Sequence, residues 1–209
     1  NIFTSECQTI VNTVNCVGVM GAGIALECRL RYPEMYSKYK TLCAEQKFDI
    51  GLLWLFRAPD RWVLNFPTKM HWKYPSKTEY LHAGLSKFLD TYKNLGIESI
   101  AFPLLGADRG GIDQNISLDI MTEYLDKADI QVEIYQYDNQ AKDDLFEKTK
   151  DWLLSNSAED IMSLTKLRRN NVEAILDALG YPGIVQLNQL TNIDGIGIKT
   201  LEKLFIAAR

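Results

Sequence analysis

The segment Ile10-Val11-Asn12-Thr13-Val14-Asn15-Cys16-Val17-Gly18-Val19-Met20-Gly21-Ala22-Gly23-Ile24-Ala25-Leu26 restricts the fold more than any other part of this chain. It reads as a short buried strand, two asparagines, a glycine loop and the start of a helix. Gly18, Gly21 and Gly23 allow a tight turn and a close backbone approach to a ligand. The helix that follows, from about Ile24, points unpaired N–H groups and the positive end of its dipole into the loop, where a phosphate is favoured. A carboxamide both donates and accepts, so Asn12 and Asn15 suit sugar hydroxyls beside that phosphate. A plain strand-to-helix turn without a ligand is the alternative. The glycine order, G-x-x-G-x-G, is not the dinucleotide fingerprint.

Downstream of this segment the chain alternates strand and helix patterns. A helix over residues 23–31 precedes one over 34–43, which Pro33 can open from its first turn. Strands at 50–57 and 62–66 flank Ala58-Pro59-Asp60-Arg61, which has hairpin turn chemistry. Residues 67–75 form a loop bearing Thr68, Lys69, His71, Trp72 and Tyr74. Ser76 then caps a long helix, with Glu79 three residues on completing a capping box. Tyr80, Leu81, Leu85, Phe88, Leu89 and Tyr92 make its buried stripe. A buried strand at 99–103 leads into a second glycine loop, residues 104–112, with Gly106, Gly110 and Gly111. A helix at 116–125 and a strand at 130–137 follow. This order predicts an α/β fold: a mixed, mostly parallel central sheet covered on both faces, in a three-layer sandwich. Ligands bind at the carboxyl ends of such strands, and both glycine loops and the 67–75 loop follow strands.

Residues 139–155 are polar with a helical pattern, and Ser155-Asn156-Ser157 reads as a linker. The expected division is a first domain over residues 1–155 and a small all-α domain over 156–209. The second part shows helical patterns at 161–167, 171–179 and 184–190. Residues 161–209 hold six basic and four acidic side chains, +2, against a whole-chain net charge of −4. A mildly basic tail on an acidic body points to two separate tasks.

Several classes are excluded. No apolar run reaches the ~20 residues of a membrane span, and no signal peptide is visible, so a cytoplasmic protein is expected. Cys7, Cys16, Cys28 and Cys43 form no C-x-x-C pair and read as reduced, packed thiols. His71 and His82, the only histidines of the 209 residues, make neither a zinc site nor a triad. No metal or cofactor is expected.

The opening segment resembles the macrodomain family, whose members bind ADP-ribose: V-N-T-V-N followed by G-A-G-I-A looks like the family's asparagine motif and first phosphate loop. Pro103-Leu104-Leu105-Gly106-Ala107-Asp108-Arg109-Gly110-Gly111-Ile112-Asp113 looks like its second loop. The likeness covers roughly residues 1–138. It is strongest to the DarG-like branch, glycohydrolases that act as antitoxins by removing ADP-ribose from DNA. That branch carries a lysine at the start of the helix after the fourth strand, matched by Ser76-Lys77-Thr78-Glu79-Tyr80, and an aspartate after the second loop, matched by Asp113.

The resemblance implies roles residue by residue. Asn15 would hold the distal ribose, with Asn12 behind it. Met20, Gly21, Ala22, Gly23 and Ile24 would line the pyrophosphate. Gly106, Asp108, Arg109, Gly110, Gly111 and Ile112 would close over the other phosphate face. Asn1, with Ile2, stands where the family has an adenine-binding aspartate, and the family's first strand is expected to precede Asn1. Lys77 would attack the ribose C1″ as its amine loses its proton, and Asp113 would move protons. Lys77 also fits a solvated surface lysine, and Asp113 a helix cap. His71, Trp72 and Tyr74 could stack on an extruded base or simply pack on the domain.

Residues 190–204 resemble the second half of a helix-hairpin-helix motif, with Gly195-Ile196-Gly197 as hairpin and Lys199 after it, an arrangement that grips a DNA phosphate. Lys166, Arg168 and Arg169 could extend that surface. The resemblance thus implies removal of ADP-ribose from DNA, with DNA and an ADP-ribosyltransferase toxin as partners. Hydrolysis of ADP-ribose-1″-phosphate or an ADP-ribosyl ester, and a non-catalytic ADP-ribose reader, remain as alternatives.

Overall fold

The computed structural model describes residues 1–208 of the chain. Cα proximity divides it into two compact units, Asn1–Tyr137 and Asp138–Arg209. The boundary falls at Tyr137, not at residue 155 as expected. The reason lies in residues 138–143, which are held by the second unit. Gln186 Nε2 donates to the carbonyls of Asp138 (3.0 Å) and Ala141 (3.1 Å), and Gln189 Nε2 to that of Asn139 (3.0 Å). The Leu187 amide donates to Asp143 Oδ2 at 2.8 Å.

The first unit runs β1 (Thr9–Asn15), α1 (Gly23–Arg31), α2 (Pro33–Ala44), β2 (Trp54–Arg57), β3 (Trp62–Lys69), α3 (Thr78–Leu95), β4 (Ser99–Pro103), α4 (Gln114–Leu125) and β5 (Gln131–Tyr135), after a 3-10 turn at Ile2–Thr4. The strands form one sheet in the order β2-β3-β1-β4-β5. The β2/β3 pair is antiparallel and the other three pairs are parallel. The expected mixed, mostly parallel sheet is therefore observed.

Side-chain alternation along the strands explains the two buried faces. Ile10 and Val14 of β1 and Val63 of β3 point into one apolar cluster with Met20, Cys28, Met35 and Tyr39. Val11, Leu64, Phe66, Ile100 and Phe102 point into the other, where Leu81, Leu85 and Phe88 of α3 and Met121 of α4 meet them. Each such side chain removed from water contributes about 1.5–3 kcal/mol.

Three local expectations are corrected. β2 starts at Trp54, because the chain first turns at residues 49–52, where the Leu52 amide donates to the Asp49 carbonyl. β3 runs on to Lys69 and absorbs Pro67 and Thr68, expected in a loop. β2 stops pairing at Asn65, so one edge of β3 has no neighbouring strand where Pro67 enters. Ser76 is not the cap of α3. The cap position is Lys77, in extended conformation and without a side-chain cap bond. The Ser76 amide instead donates to the Gly110 carbonyl at 2.9 Å, and its side chain is buried under the second glycine loop. A tertiary contact has overridden the local capping signal.

The second unit holds α5 (Asp144–Leu154), α6 (Ala158–Thr165), α7 (Arg169–Ala178), a 3-10 segment (Leu187–Asn192) and α8 (Ile198–Ala207). Asp143 caps α5 and Ser157 caps α6. Ile161, Val172, Ile175, Leu190, Leu201 and Leu204 are buried in it. No helix among the described residues is long and apolar enough to cross a membrane.

Candidate active site

Because β1, β3 and β4 run parallel, their carboxyl ends share one edge of the sheet. Residues 16–22, 70–76 and 104–113 leave from that edge as loop 1, the aromatic turn and loop 2. Hydrogen bonds join them. The Cys16 amide donates to the carbonyls of Lys69 (3.1 Å) and Met70 (3.3 Å). Lys69 Nζ donates to the Arg109 carbonyl, and the Ser76 amide to that of Gly110. The structure thus brings together the segments that sequence had placed at one end.

Loop 1 is shaped from inside by Asn15. Its Nδ2 donates to the Val19 carbonyl at 2.6 Å, and its Oδ1 accepts from the Val17 amide (3.0 Å), the Val19 amide (3.3 Å) and the Tyr39 hydroxyl (3.2 Å). Tyr39 also donates to the Asn15 carbonyl at 2.5 Å. The buried Asn15 carboxamide is engaged with the loop that surrounds it. Asn12 is fully buried and donates to Asn65 Oδ1 at 2.9 Å, while its own Oδ1 has no partner among the described residues. Met20 is fully buried. Ala22 is the extended cap of α1 with no side-chain bond, so the amides of Gly23, Ile24 and Ala25 have no intrahelical acceptor, and the ladder starts with the Leu26 amide on the Ala22 carbonyl. Gly21 and Ile24 are half-buried. Asn1 accepts from the Phe3 amide and starts the 3-10 turn, and Ile2 packs in the same cluster as Met20.

Loop 2 is built on backbone. The Gly111 amide donates to the Ala107 carbonyl (2.9 Å), and the Ile112 amide to that of Gly106 (3.0 Å). A Cβ on Gly110 would lie 2.1 Å from the Gly106 carbonyl oxygen and 2.5 Å from Ser76 Oγ. Only glycine fits there. Asp108 and Arg109 are exposed at the loop's tip and pair weakly at 3.8 Å. Asp113 ends the loop as the cap of α4: its Oδ1 accepts from the amides of Asn115 (2.9 Å) and Ile116 (3.3 Å). Its capping role is therefore observed, and no bond to Oδ2 is seen among the described residues.

Two lysines flank loop 2, and they differ. Lys77 is exposed, sits one position before the first turn it was expected to occupy, and lays its amine 5.8 Å from the Tyr80 ring. Lys69 lies opposite Asn15 in the β1/β3 register and is partly buried. Its amine is held below the ordinary lysine range, first by desolvation and then by the Arg109 guanidinium, with Asp108 acting in the opposite direction. Sequence reasoning named Lys69 only as a loop residue. The signal lay in the length of β3: a strand that reaches residue 69 sets Lys69 in register with Asn15 and lets its amine reach loop 2. Cys16, next to Asn15, is no nucleophile, because burial and the nearby Asp49 push its thiol up to about 12.

In the second unit, Gly195 has φ +77° and accepts through its carbonyl from Asn171 Nδ2 at 2.9 Å. Ile196 is buried, Gly197 is the exposed cap of α8, and Lys199 is exposed in its first turn. Arg169 pairs with Glu159 (3.0 Å) and Glu173 (3.8 Å).

The Macro domain family profile matches residues 11–121. A protein of Mycobacterium tuberculosis (strain ATCC 25618 / H37Rv) called DNA ADP-ribosyl glycohydrolase is 36% identical over 140 residues, 65% of this chain and 40% of that protein. A Thermus aquaticus protein of the same name is 40% identical over 116 residues, 54% of this chain and 32% of that one. The chain thus spans at most 40% of the length of these curated relatives. Among solved structures, the macrodomain of Mycobacterium tuberculosis DarG aligns with a TM-score of 0.64 at 36% identity, covering 66% of this chain and 94% of that one. Thermosipho africanus DarTG in complex with ADP-ribose aligns with a TM-score of 0.63 at 34% identity, covering 69% of this chain and 42% of that one.

Proposed function

The chain belongs to the Macro domain family, and on that footing we propose that it is a hydrolase that releases ADP-ribose from ADP-ribosylated DNA. The names of its relatives in Mycobacterium tuberculosis and Thermus aquaticus support that reaction. The single observation that carries it is Lys69: a partly buried amine, lowered in pKa, opposite Asn15 and bonded to loop 2.

In this reading the pyrophosphate takes the amides from Gly21 to Ile24, where loop 1 enters α1, and loop 2 covers its other face through Gly106 and Gly110–Ile112. Asn15 fixes the loop that holds the distal ribose, with Asn12 behind it, and Asn1 and Ile2 border the adenine. An amine free of its proton attacks C1″, the glycosidic bond breaks, and the base leaves with the bonding electrons. Lys69 is preferred to Lys77 for this role, because it is partly buried and bonded to loop 2 while Lys77 is exposed, and desolvation lowers its proton affinity. Asp113, through Oδ2, carries a proton to the leaving base and then takes one from the water that attacks C1″, as the Nζ–C1″ bond breaks and its electrons return to the amine.

The substrate is made by a DNA ADP-ribosyltransferase, the proposed partner. A Thermosipho africanus relative, named as a fusion of DNA ADP-ribosyl transferase and DNA ADP-ribosyl glycohydrolase, supports that pairing. The hairpin Gly195-Ile196-Gly197, with Lys199, is proposed to hold a DNA phosphate by exposed amides at the start of α8.

The test is release of ADP-ribose from an ADP-ribosylated oligonucleotide. Lys69→Ala is expected to lower turnover at least ~100-fold and Asp113→Ala ~100-fold, while Lys77→Ala stays within about threefold of wild type. Collapse in Lys77→Ala with full activity in Lys69→Ala would return the nucleophile to Lys77. No release by wild type, with ADP-ribose still bound in calorimetry, would leave a reader or a hydrolase of another ADP-ribosyl linkage.

A further inference from the structure

The aromatic turn is held by its own hydrogen bonds, yet two of its rings face solvent. The Tyr74 amide donates to the His71 carbonyl (3.1 Å) and the Lys73 amide to His71 Nδ1 (3.1 Å). Swinging the His71 ring would break the bond from the Lys73 amide. Trp72 stacks on it with centroids 5.4 Å apart at 27°, and Tyr74 tilts against it at 5.5 Å and 49°. Trp72 is 50% exposed and Tyr74 64%. A core role would bury these rings, and a solvated turn has no need of two of them.

Their surroundings say what covers them. Lys73 Nζ lies 5.1 Å from the Trp72 ring, and the exposed Lys77 follows the turn directly. Arg109 lies exposed on loop 2, to which both ends of the turn are bonded, at Lys69 and at Ser76. Exposed rings among three exposed cations match a ligand with flat apolar faces and a chain of negative charge. Single-stranded nucleic acid has that chemistry: ring stacking holds bases of any sequence, and lysines track the phosphates.

We propose that the turn at residues 70–74 is a stacking platform for single-stranded DNA beside the ADP-ribosylated nucleotide, with Trp72 and Tyr74 receiving neighbouring bases and Lys73 and Lys77 their phosphates. This rests on the glycohydrolase reading above. The platform selects a strand whose bases are unpaired, since a paired base has both faces covered by its neighbours in the duplex stack.

The experiment uses the full chain. A 15-nucleotide single strand is ADP-ribosylated by a DNA ADP-ribosyltransferase, and part of it is digested to the ADP-ribosylated nucleoside. Trp72→Ala and Tyr74→Ala are expected to raise KM for the oligonucleotide about ten- to a hundredfold. That rise exceeds any rise for the nucleoside at least tenfold, while kcat holds within about twofold. Trp72→Phe, which keeps a ring, restores most of the oligonucleotide KM. Equal losses on both substrates, or none, overturn the platform and leave the glycohydrolase standing. A wild type that prefers duplex of the same sequence also overturns it. If wild type releases nothing, the glycohydrolase reading fails, and unmodified single-stranded oligonucleotide decides the platform alone. Saturable quenching of tryptophan emission that Trp72→Ala abolishes then supports it, and quenching that persists in Trp72→Ala, or no quenching at all, overturns it.

Discussion

Loops 1 and 2 are both rich in glycine and are held by different forces. Loop 1 wraps a buried side chain: the Asn15 carboxamide takes two amides and a carbonyl from the loop and is locked in turn by Tyr39. Gly23, at its end, has φ +54° and no atom within 4 Å of where a Cβ would stand. Its glycine answers to backbone conformation and leaves open space. Loop 2 has no such internal side chain. Its backbone bonds to itself, to the Ser76 amide, to the Lys69 amine and to the Ser117 hydroxyl, and Gly110 is pressed against the Gly106 carbonyl. The lesson is that a glycine-rich loop can be shaped by polar satisfaction or by steric closeness, and that the two respond to different substitutions.

Gly110→Ala attacks the closeness and has the largest expected effect, about 3 kcal/mol of stability in chemical denaturation, with ADP-ribose affinity lost in parallel. A cost under 1 kcal/mol would mean that loop 2 moves freely and that the comparison fails. Asn15→Ala removes the partner of several buried polar groups in loop 1 and should cost about 2 kcal/mol. Tyr39→Phe leaves the carboxamide in place and removes one donor, so about 1 kcal/mol is expected by the same measurement. Gly23→Ala meets no neighbour and carries only the left-handed strain, also about 1 kcal/mol. A loss equal to that of Gly110→Ala would show that loop 1 is as crowded as loop 2.

The smallest effect concerns the amine between the loops. If Lys69 attacks as the free base, turnover rises with pH through its pKa. Arg109 helps to hold that pKa down and Asp108 opposes it. Arg109→Ala therefore shifts the rising limb of the pH–turnover profile upward and Asp108→Asn shifts it downward, each by less than about one unit, because both charges are exposed and screened. Shifts of the reverse sign would separate the limb from Lys69.

Much of this was legible in the chain. The run from Ile10 to Leu26 carries its strand, its loop and its helix start in residue order, because apolar alternation and glycine spacing act over a few neighbours. The stripe of α3 from Leu81 to Tyr92 was legible for the same reason. The cap of α3 was not. Ser76 and Glu79 carry the capping signature, yet Ser76 is held by Gly110, over thirty residues away, and the helix starts two residues later. Nor could the sequence show that Asp138 belongs with the helices that follow, since the bond from Gln186 crosses 48 positions.

The sequence by itself determined which segments turn, which are buried, and that two glycine loops and an aromatic turn leave one edge of a mostly parallel sheet. The tertiary structure decided which of two amines is partly buried against loop 2. Lys69 and Lys77 are the same residue type eight positions apart, and no local pattern separates them. Only the register of β3 against β1 sets Lys69 opposite Asn15 and under Arg109, where desolvation and a neighbouring charge lower its proton affinity, while Lys77 stays in water. Proton affinity follows from burial and from charges close in space, and both are properties of the folded chain.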